Sequence, residues 1–273
     1  MLVEGRHFLP GADPEALGHK ALAVNLSDLA AMGAAPRWVT LALALPAADE
    51  GWLAAFARGF FALAERHGVD LVGGDTTQGP LLTINVTALG EVPSGVALYR
   101  AGARPGDDIW VSGELGGAAL ALAQPALAAQ SPGLAARLHR PEPRVELGER
   151  LRGLARAAID VSDGLAGDLG HILERSQVGA VIEYDRIPRP AAFSGFREIE
   201  RDCVLSGGDD YELVFAGAQA QRGEIESLGR ELKLPLTRIG AIQAGATMLV
   251  VLDTAGKPMA HRGGFDHFDA GRR

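Results

Sequence analysis

The sequence predicts an α+β N-terminal domain, an antiparallel sheet with helices, followed by an α/β C-terminal domain. Three observations carry this expectation. The first third of the chain reads helix, strand, helix, strand, strand, an order typical of segregated α+β units. A glycine- and proline-rich stretch over 93–106 marks a boundary, giving domains over 1–95 and 96–273. Beyond it, glycine turns join apolar strands to helix-like runs.

The first element is a helix opened by Asp13 as N-cap, with Pro14 at the first helical position. Nearly every side chain from Ala21 to Met32 is apolar, on all sides, so this helix is buried. Asn25, Ser27 and Asp28 lie inside that apolar run, and Asn25 and Asp28, three apart, share a face. A buried carboxylate is costly unless paired or metal-bound, which calls for a cationic partner at Asp28. Gly33 and Pro36 end the helix. A strand is expected over 38–45. A second helix follows over 51–67, with Trp52, Phe56, Phe60 and Leu63 at helical spacing. A short buried strand is expected over 69–73. Another over 81–89 sets Thr83, Asn85 and Thr87 against Ile84, Val86 and Ala88.

The second unit opens with a strand over 108–111, a glycine turn and an alanine/leucine helix. Residues 131–143 read as a loop and 144–156 as a helix. Ile159 and Asp160 end a short strand, and a helix runs over 163–176. A strand over 180–184, an irregular segment over 188–202 and strands over 211–215, 238–242 and 248–252 complete the pattern.

Composition limits the functional classes. The chain has 273 residues, 47% hydrophobic and 22% charged, enough for a sizeable globular core. A net charge of −8 argues against a nucleic-acid partner. Among the basic residues only Lys20, Lys233 and Lys257 are lysines, and arginine is the better fork for phosphates. The single cysteine, Cys203, excludes an intrachain disulfide. The opening residues lack a signal-peptide pattern and no apolar run reaches membrane-spanning length, so a cytoplasmic protein with no membrane partner is expected.

Acidic clusters beside glycines recur. Gly73-Gly74-Asp75-Thr76-Thr77 follows an apolar run, Asp160-Val161-Ser162-Asp163-Gly164 follows another, and Gly207-Gly208-Asp209-Asp210-Tyr211-Glu212 precedes a third. Each has a plain alternative: Asp75 can close its own turn, and Asp163 can cap the following helix. With Asp28, the three corners point to a polyphosphate site with several Mg²⁺ ions, since carboxylates and hydroxyls are hard oxygen ligands. No GxxxxGK[ST] loop and no protein-kinase signature is present. No nucleophile–histidine pair is evident, so no covalent nucleophile is expected and metal-assisted transfer is the simplest chemistry.

The segments LVEGRHF, LGHKALAVNLSDLAAMGAAPRW, LVGGDTT, YRAGARPGD, IDVSDGL, SGGDDYEL and GFDHF, in this order, closely resemble the thiamine-monophosphate kinases. These belong to a superfamily that includes aminoimidazole ribonucleotide synthetase, selenophosphate synthetase and a hydrogenase-maturation protein. The resemblance implies the two-domain architecture of that superfamily. Its N-terminal domain would bind ATP and Mg²⁺ and form a homodimer through its sheet, and its C-terminal domain would complete the nucleotide and substrate site. It implies ATP-dependent phosphorylation of thiamine monophosphate to thiamine diphosphate, in line and without a phospho-enzyme. Carried over by motif, Asp28, Asp75, Asp160 and Asp163 would hold Mg²⁺, and Gly74, Asp75, Arg100 and Ser162 would meet ATP. His7, Glu212 and Phe265 would contact thiamine monophosphate. A superfamily relative with another acceptor, and a catalytically impaired nucleotide-binding or dimer partner, are the rival readings.

One departure bears on activity. The resemblance implies a segment before LVEGRHF with a GDDAA-type motif and a TD dipeptide, which would supply further metal ligands and a strand of the dimer-forming sheet. Either a start placed too late or a truncated paralogue would account for a chain opening at Met1. The expectation is that this 273-residue form pairs poorly and turns over slowly.

Overall fold

The structure, a computed structural model, describes residues 1–264. Its first sheet has four strands in the order β1-β4-β2-β3: β1 (Leu2–Val3), β2 (Ala35–Leu45), β3 (Asp70–Gln78) and β4 (Thr83–Glu91). Helix α1 (Pro14–Ala31) precedes β2, and α2 (Glu50–His67) links β2 to β3. The predicted start of α1 is realised atom by atom: the Asp13 side chain accepts the Ala16 N–H at 2.8 Å, with Pro14 in the first turn. Asp49 caps α2 in the same way, and Gly68 ends it in the left-handed conformation.

The two helices cross at a point made by glycines. A Cβ on Gly18 would lie 2.0 Å from the Phe56 carbonyl oxygen, and one on Gly59 would lie 1.8 Å from that of Glu15. Only hydrogen fits there, so the backbones meet directly and Leu22, Phe56, Phe60 and Leu63 fill the core beside the crossing.

Two expectations about this sheet are corrected. It is mixed, because β3 runs parallel to β2; α2 carries the chain back across the sheet, the usual connection between parallel neighbours. The strand expected to be short and buried over 69–73 is the nine-residue edge strand β3, exposed throughout. Its apolar opening reads as core, but Leu71 and Val72 face outwards, and only Val69 just before the strand is buried.

The second sheet has seven strands in the order β11-β10-β7-β9-β5-β8-β6. These are β5 (Asp108–Ser112), β6 (Ala155–Asp160), β7 (Gly179–Glu183), β8 (Leu213–Gly217), β9 (Leu236–Gln243), β10 (Leu249–Leu252) and β11 (Pro258–Met259). Its helices are α3 (Gly117–Ala123), α4 (Pro125–Gln130), α5 (Pro132–His139), α6 (Val145–Arg150), α7 (Leu165–Ser176), α8 (Arg197–Ser206) and α9 (Arg222–Leu232). Among the described strands of this sheet only β7 and β10 pair in parallel.

Several local expectations change here. The segment read as a loop over 131–143 contains α5, started by Pro132 and buried through Leu134 and Leu138. The helix read over 144–156 stops at Arg150, a turn with Gly153 at φ +82° follows, and β6 begins at Ala155. The irregular stretch over 188–202 contains a 3-10 turn and the start of α8, which buries Cys203, Val204 and Leu205. Helix α9, unexpected from sequence, packs through Ile225 and Leu228.

The sheets share a core. Trp110, Leu213, Phe215 and Ile225 belong to the same apolar cluster as Leu22 and Leu26 of α1. Thus the buried helix α1 lies between the two sheets, and its polar residues are delivered to the boundary.

Candidate active site

The polar residues of α1 meet the second sheet at the end of β6. Ser27, fully buried, donates from Oγ to Asp160 Oδ2 at 2.7 Å. Asp160 is 4% exposed, and its carboxyl is pushed up to about 6, first by burial and then by the charge of Asp28. The Ser27 hydrogen bond and Arg100 pull the other way. Asp28 itself is raised by burial and lowered by Arg100, although its side chain reaches an exposed rim. Two carboxylates therefore sit close enough to repel, with one guanidinium nearby: an arrangement that favours an added cation or a phosphate carrying one.

The loop after Asp160 is pinned on both sides. On one side the backbone bonds Val161 N–H to Glu212 O (2.7 Å), Asp209 N–H to Ser162 O (2.9 Å) and Tyr211 N–H to Val161 O (2.8 Å) zip it to residues 209–212. On the other, Asp168 Oδ2 accepts the N–H groups of both Ser162 and Asp163 at 3.0 Å. Asp168 is 2% exposed, and burial pushes its carboxyl up to about 7 against those two bonds. Asp163 does not serve as the expected helix cap: α7 begins at Leu165 after Gly164, with no side-chain cap. Asp168 was missed in the sequence, yet a signal was present. With Leu165, Leu169 and Ile172 it lies at helical spacing on one apolar face, an acid where a leucine would pack.

The segment 207–212 ties down further charges. Lys20, 4% exposed on α1, pairs with Asp209 Oδ2 at 3.0 Å. Asp210 accepts the N–H of Gly116 at 2.7 Å and of Ala118 at 3.4 Å, and burial pushes its carboxyl up to about 8. Glu212 accepts from Arg144 Nε (2.7 Å) and Nη2 (2.5 Å) and from Ser112 Oγ (2.5 Å). Gly113, at φ +57°, leaves the space: a Cβ there would lie 2.0 Å from Glu212 Oε1.

Not every expected residue joins this group. Gly74 and Asp75 lie within β3, exposed at the sheet edge, and Asp75 Oδ1 accepts the Thr76 N–H at 2.8 Å. Among the described residues no set of three His, Cys, Asp or Glu side chains converges as a metal cluster. His7 Nδ1 accepts the Val3 N–H at 3.0 Å, which closes the N-terminal turn. Phe265 lies outside the described residues.

The likeness to known proteins covers both sheets. The family model described as AIR synthase related protein, N-terminal domain, matches residues 1–92, and its C-terminal counterpart matches 104–252. A thiamine-monophosphate kinase of Escherichia coli (strain K12) is 46% identical over 276 residues, 98% of this chain and 84% of the relative. The crystal structure of a thiamine-monophosphate kinase from Stenotrophomonas maltophilia K279a superposes with a TM-score of 0.88 at 50% identity, covering 94% of this chain and 84% of that one. AaThiL complexed with AMPPCP and TMP superposes with a TM-score of 0.85 at 30% identity, covering 98% and 85%. The chain belongs to the thiamine-monophosphate kinase family of the AIR synthase related proteins.

Proposed function

We propose that this chain transfers the terminal phosphoryl group of ATP to thiamine monophosphate, giving thiamine diphosphate. The observation that carries phosphoryl transfer is the buried Ser27 Oγ to Asp160 Oδ2 hydrogen bond at 2.7 Å, which joins the helix that carries Asp28 to the end of β6, where the Arg100 charge opposes both carboxylates. The acceptor rests on the relatives, one of which is complexed with AMPPCP and TMP.

The donor set fits Mg²⁺. That ion takes oxygen ligands, one or two carboxylates with the rest from phosphates and water, and Asp28 and Asp160 supply two carboxylates whose mutual repulsion a cation relieves. Asp28, Asp75, Asp160 and Asp163 would hold the ions, which would screen the negative charge crowded between donor and acceptor phosphates. In our assignment Gly74, Asp75, Arg100 and Ser162 contact ATP, and His7, Glu212 and Phe265 contact thiamine monophosphate. Arg100 opposes the charge of Asp28 and Asp160 and is suited to a phosphate oxygen. Glu212 is fixed in direction by Arg144 and Ser112, so it can meet a ligand without first being ordered.

Transfer is direct in this reading. Cys203 is buried and its thiol is pushed up to about 11, which makes it a poor nucleophile. We assign residues 1–95 to ATP, Mg²⁺ and pairing, and 96–273 to completion of the site. The exposed edge strand β3, with Leu71, Val72 and the neighbouring Trp38 and Leu89 open to solvent, supports a homodimer through this sheet. No described helix is long and apolar enough to cross a membrane, and we place the enzyme in the cytoplasm.

The test is to incubate the protein with ATP, Mg²⁺ and thiamine monophosphate and to follow thiamine diphosphate by chromatography. Formation of ADP and thiamine diphosphate in equal amounts is expected. ATP turnover that ignores thiamine monophosphate would refute the acceptor.

A further inference from the structure

Asp168 is a buried carboxylate on an otherwise apolar helix face. It is 2% exposed on the face of α7 that also presents Leu165, Leu169 and Ile172 to the core. A small apolar residue there would cost no charge desolvation. What Asp168 adds is one oxygen, Oδ2, that accepts two successive N–H groups, those of Ser162 and Asp163, both at 3.0 Å.

Two consecutive amides aimed at a single acceptor set the orientation of both peptide planes. With the peptides set, the directions in which the Ser162 and Asp163 side chains leave the backbone are set as well. The opposite side of the loop is already held by Val161 and Ser162 through Glu212, Tyr211 and Asp209. Between these clamps the loop from Asp160 to Gly164 has little freedom left, even though Gly164, at φ +112°, is backbone that would otherwise swing.

We propose that Asp168 is a positioning residue for phosphoryl transfer: through the Ser162 and Asp163 amides it presets the loop that carries Asp160, Ser162 and Asp163. A loop ordered in advance does not lose conformational freedom when the nucleotide arrives, and its oxygens already lie where the phosphates need them. This inference rests on the reading of that loop as part of the ATP site.

The geometry separates two variants. In Asp168→Asn the amide oxygen can still accept both N–H groups, because both bonds end on one oxygen. In Asp168→Ala the acceptor is gone and two N–H groups are left in the interior. The experiment compares the full chain and both variants by amide hydrogen exchange at Ser162 and Asp163, AMPPCP binding with Mg²⁺ by calorimetry, and steady-state kinetics in both substrates. For Asp168→Ala, exchange at the two amides should rise at least about tenfold, and kcat/KM for ATP should fall about 10- to 100-fold, the scale of a small misplacement. KM for thiamine monophosphate should move less than about twofold, and Asp168→Asn should recover most of the loss.

Unchanged ATP kinetics in Asp168→Ala overturn the proposal, as does an equal loss in both variants or a rise in KM for thiamine monophosphate as large as that for ATP. If Asp168→Ala does not fold, Asp168→Asn decides alone: retained AMPPCP affinity and slow amide exchange support the role, and their loss ends it. Should the wild-type chain form no thiamine diphosphate, the functional reading fails, while amide exchange and AMPPCP binding still decide the role of Asp168.

Discussion

Lys20 and Asp209 close a 3.0 Å ion pair that ties α1 to the segment before β8, 189 residues further along the chain. Lys20 is 4% exposed and Asp209 32%, so one partner is desolvated and the other still meets water. Asp209 also accepts from the Tyr211 hydroxyl at 2.9 Å, in a backbone turn where both residues have positive φ. Removing Asp209 leaves a buried ammonium without its partner, whereas removing Lys20 leaves a carboxylate that solvent can reach.

Asp209→Asn should therefore destabilise the protein more than Lys20→Met, by about 2–4 kcal/mol against about 1–2 kcal/mol, below the range for a fully buried pair because Asp209 is partly wet. The double variant should cost less than the sum of the two. Urea unfolding of the four proteins measures the cycle, and strict additivity would show that the pair does not couple.

Asp75→Asn should abolish thiamine diphosphate formation and leave stability within about 0.5 kcal/mol. Asp75 sits on the exposed strand β3, and its described hydrogen bond is to the neighbouring Thr76 N–H, which an asparagine oxygen can also accept. The charge is what the substitution removes. Unaltered turnover at ordinary Mg²⁺ would remove Asp75 from the metal assignment.

Asp28→Asn should lower the pKa of Asp160 towards the ordinary carboxylate range, because the charge of Asp28 is the second cause of its rise to about 6. The sign for stability follows. A carboxyl raised in the folded state binds its proton more tightly there, so its contribution is present below about pH 4 and is lost as pH climbs through about 6. Metal-free Asp28→Asn should then be more stable than wild type at neutral pH, by about 1 kcal/mol for each unit of pKa recovered. Carbon-13 titration of the Asp160 carboxyl and thermal unfolding check both halves. An unmoved Asp160 would mean that the two carboxylates are not electrostatic neighbours.

Much of the first sheet was legible because its signals are local. Asp13 and Pro14 start α1, and the all-round apolar run Ala21–Met32 announces a buried helix. Of the polar residues singled out on it, Ser27 meets Asp160, whereas Asn25 bonds back to the Ala21 carbonyl and Asp28 reaches the exposed rim with the Arg100 charge to oppose its own. The direction and edge position of β3 were not legible: apolar Leu71 and Val72 look the same in a central strand and at an open edge. Helices α5, α8 and α9 were missed where proline, glycine or charge interrupted the apolar period. In the site, the glycine-flanked acids singled out Asp160 and Asp163, but the partners that hold them were hidden. Asp168, which holds the loop, shows in the sequence only as an acid on an apolar helix face, and the roles of Arg144 and Ser112, which hold Glu212, depend on contacts that only the folded chain makes.

His67 and His19 make a last prediction, in which the sign of a pH effect is decided by burial. Both are half-buried where α1 and α2 meet the segment around Pro141, and both are held below the ordinary imidazole value, first by burial. For His67 the Arg66 charge adds to that fall, Glu142 opposes it, and His19 adds a smaller part. His67 Nε2 is buried with no hydrogen-bond partner among the described residues, so a proton placed there gains nothing to bind. His19 Nε2 faces the Pro141 carbonyl oxygen at 2.9 Å, which partly supports a proton on its ring. Because the folded pKa lies below the unfolded one, the unfolded chain takes up more protons as pH falls below about 6.5. The stability from a neutral His67 is thus fully present above that pH and is lost below it. Asp160 contributes the opposite slope over part of the same range, so the informative quantity is the difference between wild type and a variant, not the wild-type curve. His67→Gln keeps a polar side chain of similar reach and cannot take up the proton. Relative to wild type it should become more stable between about pH 7 and pH 5, by about 1 kcal/mol or less, and His19→Gln should show a smaller change of the same sign. Chemical unfolding at several pH values on all three proteins measures the two difference curves. A flat difference for His67→Gln, or one that falls as pH drops, would show that this imidazole is not kept neutral by its surroundings.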